Sequence, residues 1–158
     1  MQLKKQIEAL FQPLIGQRPW RASVGWGSFV TLEFGPKRLY NRHYHGDWHF
    51  WLYQCEWSLT SKDRCLAHSE SKKRVMQLAI DNLKGAELTD LTFDSQRMIT
   101  KLFFDSCLEL QCKPYADAAP DEDCWMLFTP DQQVAALRQT GLRYESIGAN
   151  AAALSGRR

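Results

Sequence analysis

Leu3, Ile7, Leu10, Phe11 and Leu14 recur at the i, i+4, i+7 spacing of one helix face, and Pro13 and Gly16 close the stretch. The pattern predicts an amphipathic helix over residues 3–14. The period then changes. Trp20, Ala22 and Val24 alternate with Arg21 and Ser23, as in a strand with one wet face, and Gly25-Trp26-Gly27 reads as a turn. Residues 29–34 are β-branched and aromatic and stop at Gly35-Pro36, so the two runs make a hairpin. Residues 37–46 read as a polar loop or frayed edge.

Residues 47–59 carry the strongest strand pattern. His49, Trp51, Tyr53, Cys55, Trp57 and Leu59 alternate with Trp48, Phe50, Leu52, Gln54 and Glu56. A central strand running out to an edge is apolar on both faces at its start and on one at its end. A short strand, residues 64–68, follows. Ser69-Glu70-Ser71 opens a second helix, with a serine placed to accept a hydrogen bond from a free N–H of the first turn. That helix, residues 70–84, has a broad apolar face of Val75, Leu78, Ala79 and Leu83, with Met76 and Ile80 beside them, and ends at Gly85. Strands follow at 88–93, 98–104, 107–113 and 124–128, with Asp105-Ser106 as a tight turn. Residues 132–147 fit either a helix, through Val134, Ala135 and Leu137, or a hairpin about Thr140-Gly141, and the hairpin is favoured.

A run of 29–34, a polar loop and 47–52 is echoed by 107–112, a polar loop and 123–128. The expected fold is therefore α+β. Two antiparallel β-meanders form a sheet, split barrel or sandwich, and the two helices (3–14 and 70–84) pack on it. Residues 1–147 make one domain, and 148–158 a disordered Ala- and Ser-rich tail. With 44% hydrophobic and 24% charged residues the chain buries a core and stays dissolved. No apolar run is long enough to span a bilayer, and the amphipathic N-terminus is unlike a secretory signal, so the expected location is cytoplasmic, with the five cysteines reduced.

Charge changes the picture little. Residues 1–80 hold 12 Lys and Arg against 6 Asp and Glu, and residues 81–158 hold 8 against 12, but the net charge is only +2. Interleaved halves would cancel most of that asymmetry.

Four groups of residues bear chemistry. His43, His45, Asp47 and His49 project to one side of an extended chain, and imidazoles with a carboxylate suit a transition metal; Gly46 interrupts that face. The cysteines form no Cys-x-x-Cys pair. Cys55 and Cys65 fall on neighbouring strands, Cys107 and Cys112 face opposite sides of one strand, and Cys55 beside His68 would make a thiol–base pair if the register allowed. Arg38, Arg42, Tyr44 and Trp48 combine phosphate-tracking charge with stacking surfaces, the mixture of a single-strand nucleic-acid binder, although +2 is low for one. Asp117, Asp121, Glu122 and Asp123 make an acidic loop suited to a basic partner or a hard cation.

Residues 14–20 (Leu-Ile-Gly-Gln-Arg-Pro-Trp), 29–35 (Phe-Val-Thr-Leu-Glu-Phe-Gly), 47–52 and 124–130 resemble, in layout, small uncharacterised bacterial α+β families. Some of those are regarded as immunity proteins that bind and block toxins. The resemblance implies a protein-interaction role and brings no catalytic residue. The expected function is thus a non-enzymatic interaction module, immunity-like or regulatory, in a bacterial cytoplasm. Its partner surface would be Asp117, Asp121, Glu122 and Asp123 or the basic Arg38 and Arg42. The alternatives are a metal- or ligand-binding protein or enzyme at His43, His45, Asp47 and His49, with a transition metal as its cofactor, and a nucleic-acid binder.

Overall fold

The computed structural model describes residues 2–147; the tail expectation for 148–158 lies outside them. The chain runs α1 (Gln2–Phe11), β1 (Arg21–Val24), β2 (Val30–Tyr40), β3 (His43–Leu52), β4 (Cys55–Ser61), β5 (Arg64–His68), α2 (Lys73–Ile80), β6 (Leu88–Asp94), β7 (Ile99–Phe104), β8 (Leu108–Pro114), β9 (Trp125–Phe128), β10 (Gln133–Arg138) and β11 (Gly141–Ser146). Single 3-10 turns, Gln12–Leu14 and Asp81–Leu83, finish the two helices. The fold is α+β with two antiparallel sheets, ordered β1-β2-β3-β9-β10-β11 and β5-β4-β8-β7-β6. The hairpin expected over 132–147 is β10–β11, with Arg138 opposite Gly141.

The two sheets do not divide the chain into halves. The first takes β1–β3 from the beginning and β9–β11 from the end, and the second is β4–β8. The 107–128 segment that echoes 29–52 is not a hairpin, because β8 and β9 belong to different sheets. Residues 47–59 are likewise not one strand. The chain leaves the first sheet at Tyr53-Gln54 and enters the second at Cys55. Phe50 and Leu52 face the main core on β3, but on β4 it is Cys55, Trp57 and Leu59 that do, so the inward parity switches at the corner. Alternation holds only while a strand stays in one sheet.

One core joins both sheets and both helices. Ile7 and Phe11 of α1 meet Phe50 and Trp125, with ring centroids of Phe11 5.5 and 5.3 Å from the two. In α2 the inward face is Met76, Ala79, Ile80 and, one turn on, Leu83; Val75 and Leu78 are exposed, so the buried face is narrower than the broad one expected and leaves out those two. Ser71 does not cap α2: its hydroxyl accepts from the His68 N–H, and Ser69 Oγ accepts from the Trp57 N–H. The opposite side of the first sheet carries a second cluster of Trp51, Met126, Phe128, Val134, Ala136 and Ile147, backed by Phe29 and Tyr53. This second layer explains why β3 is apolar on both faces. Among the described residues no helix is long and apolar enough to cross a membrane.

Candidate metal centre

Residues 37–46 are not a loop but the outer half of the β2–β3 hairpin, turned by Asn41 and Arg42, both at positive φ (47° and 68°). Two left-handed turn residues match the twist of the flanking strands. Pairing shifts between Phe34 and Lys37, where Gly35-Pro36 places an extra residue on β2. Gly35 has φ of +79°, and its carbonyl accepts from the Trp20 indole N–H at 2.9 Å. Arg21 and Lys37 lie over the Trp20 ring at 5.0 and 4.9 Å. Opposite it, Gly46 continues β3 rather than interrupting it. A Cβ at Gly46 would collide with the Phe34 carbonyl oxygen and lie 2.7 Å from its backbone nitrogen. A glycine is required here by close approach of two backbones.

A bulge bends the strand that carries it and steepens its twist. His45 and His49 lie on the paired strand β3, one on each side of the bulge. Four residues along a straight strand span about 13 Å, yet the two rings are 5.8 Å apart. Both face Glu33, the cross-strand partner of His49. Glu33 is fully buried. Its Oε2 lies 2.7 Å from His49 Nδ1 and 3.5 Å from His45 Nδ1, and its Oε1 accepts from the Gly46 N–H at 3.0 Å. His49 rests on Phe128 and Trp51, with ring centroids 5.4 and 6.3 Å away. Both ring nitrogens of His45 are shielded from solvent and form no hydrogen bond among the described residues. One donor atom from each of Glu33, His45 and His49 lies within 4.8 Å of the others. Two imidazoles and a carboxylate at such spacing suit a divalent transition metal and leave coordination positions open.

This corrects the set read from alternation. Asp47 has the same parity as the histidines, but at the bulge it faces Gly35 and its carboxylate pairs with Arg38. His43 is exposed and lines an open groove of about 230 Å³ with Arg21, Ser23, Trp26, Phe29, Thr31 and Trp51. The groove runs along the same face, since Thr31 and Trp51 are two residues from Glu33 and His49. The missing ligand, Glu33, sits in a run that reads as ordinary strand. The only signal for it is a charged residue at an otherwise apolar, centrally paired position.

The other sequence candidates are scattered. In the acidic loop Asp117 and Asp121 are exposed and Glu122 is partly buried, whereas Asp123 is held by Arg138 Nε and Arg143 Nη2, each at 2.9 Å. Arg42 is at the exposed hairpin tip beside exposed Tyr44, and Trp48 packs against the main core. Cys65 is exposed and faces Thr60 on β4, not Cys55. Cys107 is in the β7–β8 turn at φ 60°, one residue beyond the expected Asp105-Ser106 pair. His68 faces Ser58 rather than Cys55, and its Nδ1 accepts from the Glu70 N–H, so there is no thiol–base pair. No family model matches the chain, and neither does any curated protein or solved structure. The layout resemblance to small bacterial families accordingly contributes nothing to the site.

Proposed function

We propose that the protein binds a divalent transition metal through Glu33, His45 and His49, with the adjoining groove admitting a small ligand to the open positions. The observation that carries this reading is the buried Glu33 carboxylate facing two imidazoles, one of which has both nitrogens shielded from water and without a hydrogen bond. Glu33 already holds the Gly46 N–H and His49, but a buried ring nitrogen that makes no hydrogen bond is costly. A divalent ion would give the His45 ring a partner shared with Glu33 and His49. Arg21 and the exposed Trp26 on the groove favour an anionic or aromatic ligand. The setting that fits is a bacterial cytoplasm, where five cysteines remain free thiols.

The test is metal content and Co(II) or Zn(II) titration of untagged protein purified without chelator. One equivalent is expected, lost in Glu33→Ala, His45→Ala and His49→Ala and retained in His43→Ala and Asp47→Ala. Loss in the last two with retention in Glu33→Ala would return the site to the set read from alternation. No binding by the unsubstituted chain would end the reading.

A second reading, the non-enzymatic interaction module, is favoured by the hairpin tip. Leu39 and Tyr44 are directly paired, and both are exposed beside Arg38 and Arg42. An apolar and basic tip suits a partner with an acidic rim. A Leu39→Asp, Tyr44→Asp variant that still captures the same partner from a lysate would remove it.

A further inference from the structure

Three of the five cysteines meet inside the molecule. Cys55 opens β4, Cys112 lies near the end of β8, and Cys124 directly precedes β9. All three are buried, and their sulfurs lie within 4.8 Å of one another. They converge because both passages of the chain between the sheets cross at one corner. Tyr53 and Gln54 donate their N–H groups to the carbonyls of Cys124 and Asp123 at 3.0 and 3.1 Å, and Cys55 is paired with Pro114.

We propose that Cys55, Cys112 and Cys124 form a three-thiolate site for a soft, thiophilic metal ion of low coordination number, such as Cu(I). The donor set is sulfur only, which selects soft ions over the borderline metals suited to Glu33, His45 and His49. The proposal is independent of that first site. Three donors around one point, with no fourth His, Cys, Asp or Glu grouped with them among the described residues, suit a trigonal ion better than tetrahedral zinc. On binding, three S–H bonds break, three S–metal bonds form and three protons leave to solvent. No electron is transferred, and copper stays Cu(I).

Without metal the group is inert. The hydrogen bond with Cys112, then burial, pushes the Cys55 thiol well up; the bond with Cys124, then burial, does the same for Cys112. For Cys124 the bond with Cys112 lowers the value, but the contact with Cys55 and burial together raise it. The route in is the corner itself. Tyr53-Gln54 and the partly exposed segment 114–123 are the connections that lead into Cys55 and Cys124, and local opening of such connections costs far less than global unfolding.

The experiment uses the full chain carrying Cys65→Ser and Cys107→Ser, which removes the exposed thiols and leaves the core intact. Under anaerobic, reducing conditions it is titrated with Cu(I) buffered by a competing chelator. One equivalent should bind, and X-ray absorption should find sulfur alone in the first coordination shell. Cys112→Ala and Cys124→Ala, checked for folding by circular dichroism, should each weaken binding by about 100-fold or more. No binding overturns the proposal. So does a first shell containing nitrogen or oxygen, which would place copper elsewhere. The absorption measurement needs no core substitution, so a variant that fails to fold does not shield the proposal.

Discussion

Glu33 Oε2 and His49 Nδ1 lie 2.7 Å apart at directly paired positions of β2 and β3, and both side chains are buried. A carboxylate in that position stabilises the fold only through the donors around it. Glu33→Ala removes the acceptor of both the Gly46 N–H and His49. The expected loss is about 1–3 kcal/mol in urea unfolding, with Glu33→Gln losing less because it still accepts from Gly46. Equal losses for the two variants would show that the charge, rather than side-chain size or the acceptor kept for Gly46, matters at position 33.

Gly46, between His45 and His49, lets β3 approach the Phe34 backbone at the bulge. Gly46→Ala must move backbone, since the added Cβ meets Phe34 main-chain atoms. The expected outcome is destabilisation of more than about 2 kcal/mol together with loss of metal uptake, although no ligand is altered. A variant with unchanged melting temperature and unchanged metal content would mean that the hairpin bends by another route.

The orientation of α2 is testable by a contrast. Ile80 is fully buried and Leu78 is 60% exposed. Ile80→Ala should cost about 2–4 kcal/mol, and Leu78→Ala should stay within about 0.5 kcal/mol of the parent, both read from denaturant midpoints. The reverse order would place Leu78 rather than Ile80 in the core.

The acidic loop divides in the same way. Asp123 ties Arg138 and Arg143 to the corner, with its own side chain only 15% exposed. Asp123→Ala should lose about 1–2 kcal/mol, reduced from a fully buried pair because the arginines are partly solvated. Asp117→Ala and Asp121→Ala, both exposed, should leave stability unchanged within about 0.5 kcal/mol. Any effect of those two on partner capture would then be a surface effect.

The raised thiols of Cys55, Cys112 and Cys124 set an alkaline limit. The unfolded chain releases these protons above about pH 8.5, while the folded chain keeps them. Their stabilising contribution is complete below that pH and declines as pH rises above it, by up to about 1.4 kcal/mol per pH unit for each thiol. Cys124→Ala should flatten the fall in stability between about pH 9 and 10.5. An unchanged slope would assign the fall to other groups.

Local patterns decide much of this molecule. The spacing of Leu3, Ile7, Leu10 and Leu14 specifies the first helix. Alternation within single strands marks most of the β-structure, and the last hairpin turns at Gln139-Thr140, one residue before the expected Thr140-Gly141. Each rests on interactions within a few residues, which is why it can be read along the chain. The histidine cluster was half legible: His45 and His49 stand out as close-spaced imidazoles, and Asp47 beside them matches in parity.

What the chain could not reveal in one dimension depends on register and on crossing points. Glu33 replaces Asp47 because a bulge at Gly35-Pro36 slips the pairing by one residue and bends the hairpin. Cys55, Cys112 and Cys124 meet because two crossovers share a corner. Such neighbours are selected by the packing free energy of the whole core, where one residue of slip exchanges the buried and exposed faces, and no local propensity encodes that choice.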